Sequence, residues 1–69
     1  MNKKEEIKDI ISPDMSSNDI DTIADISGLD REEVKNIIND NGLWVAEQIQ
    51  AMTDEEYNQA VNNAVNELI

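Results

Sequence analysis

Carboxylates dominate the side chains of this chain that could do chemistry. The sequence has 16 Asp and Glu residues but no His and no Cys, so the commonest general base, the commonest metal ligand and the thiolate are all missing. Ser16, Ser17 and Ser27 therefore have no His to activate them. Two glycines, Gly28 and Gly42, are too few for a phosphate-cradling loop. We expect no enzyme activity, because carboxylates need a sheltered cleft for acid–base work and 69 residues leave little room for one.

A calcium loop is the metal site that the sequence comes nearest to. The segment from Asn39 to Gly42 matches part of such a loop. In that register the first ligand falls on Ile37 and the twelfth on Gln48, where an acidic side chain is required at both. The pair Asp19 and Asp21 lacks the Gly and the terminal Glu that the loop needs. We therefore expect no specific metal site and no cofactor.

The acidic charge is large and unevenly placed. The formal net charge is −11, no Lys or Arg lies between Asp9 and Asp30, and none follows Lys35. Such a surface repels phosphate and attracts basic protein surfaces, although it also serves solubility alone. We expect an acidic face that docks on a protein with a basic, nucleic-acid-binding surface. Its predicted residues are Asp14, Asp19, Asp21, Asp25, Glu32, Glu33 and Asp40.

Five short helices are predicted to position these side chains. The first spans 3–11 and ends before Pro13, because the residue before a proline avoids the α region. A three-helix unit spans 18–52, with its first two helices ended by Gly28 and by the breaker cluster 39–42. The last helix, 54–69, has apolar residues at i, i+3 and i+4 throughout. The predicted fold is an all-α, compact bundle of four to five short helices in a single domain, 1–69.

Caps and apolar positions complete this prediction. Asp30 with Glu33, and Thr53 with Glu56, have the spacing of capping boxes. Ser16 and its neighbours offer caps for the second helix. The predicted core is Ile7, Ile11, Ile20, Ile23, Ile26, Leu29, Val34, Ile37, Ile38, Trp44, Val45, Ile49, Val61, Val65 and Leu68.

The segment 20–37 resembles the helix-turn-helix of phage repressors and of the promoter-reading domain of sigma factors. Ala24, Gly28, Val34 and Ile37 occupy positions that this motif uses for packing, whereas Ser27 stands where an apolar residue is usual. The resemblance implies a tight helical corner. It also implies a dimeric DNA-binding regulator whose second helix would read bases through Arg31, Lys35 and Asn36. Against this, the chain has only three further cations, all near its N-terminus, to neutralise phosphates.

A second resemblance covers 20–52, which is similar to a ubiquitin-associated-like three-helix domain. Ser27, Gly28 and Leu29 stand in the loop where that family has Met-Gly-Phe or Met-Gly-Tyr. The resemblance implies a three-helix unit of the kind that bacterial and phage proteins use to bind translation and replication proteins. Because Ser27 replaces Met in the ligand-binding loop, we do not expect ubiquitin binding.

Two features have alternative interpretations. The apolar stripe of the C-terminal helix either closes the core of its own monomer, which we favour, or forms the seam of a homodimer. Trp44 is either a core anchor, which we favour, or a partly exposed binding hot spot. The possible dimer seam consists of Tyr57, Val61, Ala64, Val65 and Leu68.

Taken together, the sequence favours a non-catalytic, acidic protein-binding module that inhibits or regulates a nucleic-acid-handling protein. Small acidic phage-encoded inhibitors, in which carboxylates imitate the phosphates of DNA, look like this. The alternatives are the helix-turn-helix regulator and an accessory structural domain with a solubilising acidic surface. No apolar run approaches the ~18 residues of a membrane span and the N-terminus has no apolar core of a secretory signal, so we expect a cytoplasmic protein without a membrane partner.

Overall fold

The computed structural model describes residues 2–69, so Met1, the first residue of the predicted domain, lies outside the described residues. Across residues 2–69 the chain forms five helices and no strand, which confirms the all-α prediction. The helices are α1 (Lys3–Ile10), α2 (Ser17–Ser27), α3 (Arg31–Asp40), α4 (Ala46–Gln50) and α5 (Asp54–Leu68).

Four of the helices enclose the core. Both α1 and α3 contact α2 as well as α5, so the order around the core is α2, α1, α5, α3. The side chains between them are aliphatic, and the part of the chain that the structure describes has no buried polar or charged residue. The core cluster consists of Ile7, Ile11, Ile20, Ile23, Val34, Ile38, Leu43, Val61, Ala64, Val65 and Leu68.

The corner between α2 and α3 turns at Gly28, as the sequence predicts. Gly28 has φ +77°, in the left-handed region, and its N–H donates to the carbonyl of Ala24 at 2.9 Å. This bond satisfies one of the carbonyls left free at the end of a helix. At the other end of α2, the carboxylate of Asp19 accepts the backbone N–H of Ser16 at 2.9 Å.

The end of α3 forms a Schellman motif around Gly42. The N–H of Leu43 donates to the carbonyl of Ile38 at 3.0 Å. The N–H of Gly42, a residue with φ +73°, donates to the carbonyl of Asn39 at 2.9 Å. A hydrophobic contact between the two end residues of the motif commonly accompanies it. Here these residues are Leu43 and Ile38, and both are fully buried. The breaker cluster therefore does more than end α3, since it returns Leu43 to the core.

The two predicted capping boxes have different outcomes. The Thr53 hydroxyl accepts the N–H of Glu56 at 3.1 Å, and the Glu56 carboxylate accepts the N–H of Thr53 at 3.1 Å, which confirms the box before α5. Asp30 does occupy the N-cap of α3, but its side chain accepts no cap hydrogen bond. The box predicted for Asp30 and Glu33 was therefore wrong, although the position of the helix start was right.

The core prediction fails mainly around α4. Val45 is the N-cap of α4 rather than a core residue and its side chain is 42% exposed, whereas Leu43 is 1% exposed and was missed. Ala64 is also buried; it was placed in the apolar stripe of the last helix but not in the predicted core. Four more predicted core residues are only half-buried at the edge of the cluster: Ile26, Leu29, Ile37 and Trp44.

The described helices are too short or too polar for a membrane span.

Candidate protein-binding surface

The carboxylates predicted on α2 lie on different sides of that helix. Successive residues of a helix are about 100° apart, so Asp21 and Asp25, four residues apart, share one side. Asp19 precedes Asp21 by two residues and so lies about 200° around the helix, where it is half-buried and caps the helix start. Asp21 and Asp25 are both exposed. Only this pair belongs to a common acidic side of α2.

The carboxylates of α3 divide in the same way. Glu33 and Asp40 are seven residues apart and therefore share a side, while Glu32 lies about 100° from Glu33. Glu32 borders a small depression that Lys35 and Trp44 also line. Helical periodicity therefore points the predicted acidic residues in several directions within each helix, and their role in binding a partner stays a prediction.

Several of these carboxylates already have a partner or a place in the helix architecture. Asp21 forms an ion pair with Arg31, in which the Arg31 Nε and the Asp21 Oδ1 are 2.8 Å apart. Glu32 and Glu33 lie in the first turn of α3, where negative charge stabilises the helix dipole. Among residues 2–69, the structure gives no hydrogen bond or ion pair through the carboxylates of Asp14, Asp25, Glu32, Glu33 and Asp40. These five, all exposed, are the ones most available to a partner.

The predicted DNA-reading residues are Arg31, Lys35 and Asn36, and all three are exposed on α3. The guanidinium of Arg31 is tied to Asp21, and both side chains remain more than half exposed, at 57% and 58%. The ammonium of Lys35 lies over the ring of Trp44, 5.8 Å from its centroid. Arg31 is thus paired with a carboxylate, whereas Lys35 lies over a neutral ring and keeps its positive charge.

Trp44 falls between its two interpretations. Its side chain is half-buried and packs against the core cluster, while the ammonium of Lys35 lies over the ring. The neighbouring Val45 is exposed. Together they form a small apolar surface at the loop between α3 and α4.

An open groove runs between the end of α3 and α5. Its α5 residues recur every three or four positions, which places them along one side of that helix. Amides and carboxylates form the rim, and Met52 and Ala60 supply apolar surface. Its lining consists of Asp40, Asn41, Met52, Glu55, Glu56, Gln59, Ala60 and Asn63.

Only Asp40 of this groove was among the predicted site residues. Glu55 and Glu56 lie in the first turn of α5, where acidic residues have an ordinary structural explanation. The one sequence signal was the polar, almost uncharged side of α5, which includes Gln59 and Asn63. Which helix lies across from that side depends on tertiary packing.

The dimer seam predicted on α5 is not available as a surface. Val61, Ala64, Val65 and Leu68 are buried at 0–5% exposure inside the monomer, and Tyr57 is half-buried. The stripe packs on α1 and α3 of its own chain. The alternative that this helix closes its own core is the one that the structure supports.

Within residues 2–69, no group of three or more His, Cys, Asp or Glu side chains could hold a metal ion.

No protein-family model matches this chain, and neither a curated protein nor a solved structure matches it. The resemblances to a helix-turn-helix and to a ubiquitin-associated-like domain therefore stay predictions.

Proposed function

We propose that this chain is a cytoplasmic, non-catalytic protein-binding module that regulates or inhibits a nucleic-acid-handling protein by docking on its basic surface. The observation that carries the proposal is the balance of charge at the α2–α3 corner. The corner offers only two cations, Arg31 and Lys35, and Arg31 is held in an ion pair with Asp21. Asp25 and Glu32 remain exposed on the same two helices.

Charge and shape support the same conclusion. An exposed surface with a formal charge of −11 repels the phosphates of nucleic acid and accelerates encounter with a basic surface. Asp25 on α2 and Glu32 on α3, both exposed and outside the Arg31–Asp21 ion pair, offer a basic surface two negative charges. A partner that normally holds nucleic acid would then lose its substrate by competition for one surface.

The experiment is affinity capture from nuclease-treated lysate of the source cells, followed by a competition assay on the captured protein. We expect a nucleic-acid-binding protein that is retained at low salt, released at high salt and displaced by duplex DNA, because exposed charge pairs are screened by salt. The test variant combines Asp21→Asn, Asp25→Asn and Glu32→Gln. It should bind several-fold more weakly, since each exposed ion pair contributes up to about 1 kcal/mol.

The matched control removes three carboxylates outside the corner, through Glu5→Gln, Asp9→Asn and Glu47→Gln. It has the same net charge as the test variant and should retain most of the binding. If both variants lose binding equally, only net charge matters and the corner is not the docking surface. If no protein is retained at any salt, the accessory-domain alternative replaces the proposal.

The helix-turn-helix alternative has a specific discriminating change. Arg31→Ala should abolish sequence-specific DNA binding if α3 reads bases, whereas it should leave capture of the protein partner nearly unchanged in our proposal. DNA enriched in one sequence, bound by the original chain and lost in Arg31→Ala, would establish the regulator in place of the docking module.

A further inference from the structure

The groove between α3 and α5 combines apolar side chains with carboxylates, and unlike the depression at the α2–α3 corner it has no cation in its lining. Met52 and Ala60 are half-buried side chains that line it. The rim carries three carboxylates, those of Asp40, Glu55 and Glu56. An apolar strip bordered by one sign of charge fits an occupant that is apolar on one side and oppositely charged on the other.

The side chain of Met52 ends beside the turn at Gly42. A Cβ added to Gly42 would lie 2.9 Å from the Met52 Cε, so any larger residue at that position would have to shift the end of this side chain. A methionine side chain is flexible and adapts its surface to different apolar partners. The floor of the groove is therefore apolar and adaptable.

The negative charge around the groove is unopposed by any cation in the lining of the groove. No Lys or Arg follows Lys35, so α4, α5 and the loops between them contain none. The Asp40 carboxylate has no partner among the described hydrogen bonds and ion pairs. Glu55 is likewise exposed and without one, whereas Glu56 is held by its cap contact with Thr53.

We propose that this groove binds a short basic segment of a protein partner, with one apolar side chain of that segment on Met52 and Ala60 and its Lys or Arg side chains on Asp40 and Glu55. The inference rests on the proposed function, because it names the kind of segment through which a basic partner is held. It also places that segment on α5, away from the α2–α3 corner.

The test uses a short synthetic peptide of Lys and Ser with one central Leu, titrated into the labelled full-length chain and followed by NMR. Side-chain amides provide built-in reporters, since Asn41, Gln59 and Asn63 line the groove while Asn18 and Asn36 are exposed on the outer sides of α2 and α3. We expect saturable shifts at the three groove amides. The same peptide with Ser in place of Leu should bind at least several-fold more weakly.

Two variants locate the binding. Asp40→Asn combined with Glu55→Gln should weaken it roughly 3- to 10-fold, as expected for the loss of two exposed ion pairs. Ala60→Arg places a cation on the floor and should abolish binding, whereas Asn58→Arg adds the same charge at an exposed position outside the groove lining and should only reduce it slightly.

The outcomes separate the two proposals. Shifts confined to Asn18 and Asn36, lost in Asp21→Asn with Asp25→Asn but kept in Asp40→Asn with Glu55→Gln, would overturn the groove and leave the docking function standing. Equal binding of the Leu and Ser peptides would overturn the apolar floor as the anchor. Absence of any shift at low salt would overturn the groove, and capture of a partner from lysate would then decide the docking function by itself.

Discussion

Gly28 and Gly42 offer a matched test of how the two turns hold this fold. Both have positive φ, +77° and +73°, so Ala at either position incurs the left-handed cost of an L-residue, about 1–2 kcal/mol. A Cβ at Gly28 would meet nothing within 4 Å, whereas one at Gly42 would lie 2.9 Å from the Met52 Cε. Gly42→Ala must therefore also displace that methyl, which adds at most about 0.8 kcal/mol for the apolar surface it exposes.

We expect Gly28→Ala to lower the free energy of unfolding by about 1–2 kcal/mol, and Gly42→Ala to lower it by the same amount plus up to about 0.8 kcal/mol. Urea unfolding followed by circular dichroism measures both, with equal m-values required for the comparison. Only Gly42→Ala should also weaken the Leu-containing peptide, because only it moves Met52. An unchanged or raised stability in Gly42→Ala would refute the backbone argument. Equal peptide binding by both variants would refute the link between the turn and the groove floor.

Three further predictions concern stability. Ile38→Ala leaves a cavity at a fully buried position and should lower the free energy of unfolding by about 2–5 kcal/mol. Val45→Ala, at an exposed cap, should change it by no more than about 0.5 kcal/mol. Thermal unfolding of both variants tests this difference. Asn41 donates to a Glu67 carboxylate oxygen at 2.8 Å, so Asn41→Asp replaces a hydrogen bond by repulsion and should cost about 1–3 kcal/mol, less at high salt. Thr53→Ala removes the cap of α5 and should cost about 1 kcal/mol; an unchanged urea midpoint would contradict the box.

Much of the fold follows from local physics that a sequence displays. Gly28 ends α2 because a left-handed residue is needed there, and the apolar spacing of α5 persists long enough to fix which side is buried. The buried position of Leu43 was missed because it depends on a Schellman turn that bends the chain back toward Ile38. Apolar periodicity describes residues inside helices and says little about the residue that follows one.

The site was predictable only in its overall charge. The sequence shows that carboxylates are abundant and cations scarce, but which of them share a direction depends on helix phase, and this separates Asp19 from Asp21. The groove depends in addition on packing, since the end of α3 reaches along α5 and brings Asp40 near Glu55 although they are distant in sequence. Nothing in the local pattern of either segment encodes that proximity.

The Arg31–Asp21 pair by itself does not prevent the corner from binding DNA. An exposed ion pair contributes at most about 1 kcal/mol, and a phosphate could replace Asp21 as the partner of Arg31. The stronger argument is the number of cations. The logarithm of the affinity for duplex DNA falls with the logarithm of the salt concentration, with a slope of about −0.9 for each phosphate that the protein neutralises. The corner has only Arg31 and Lys35 to neutralise phosphates.

For a DNA complex of this corner, the slope of log affinity against log salt concentration would therefore be no steeper than about −2 for each copy of the chain. It would also have to overcome repulsion from the exposed Asp25 and Glu32 on the same two helices. Removal of Asp21, Asp25 and Glu32 thus has opposite effects under the two hypotheses. It relieves that repulsion and strengthens binding to DNA if α3 reads bases, but it removes the attractive charges and weakens capture of a basic protein if the corner is a docking surface. The direction of the change, rather than its size, decides between them.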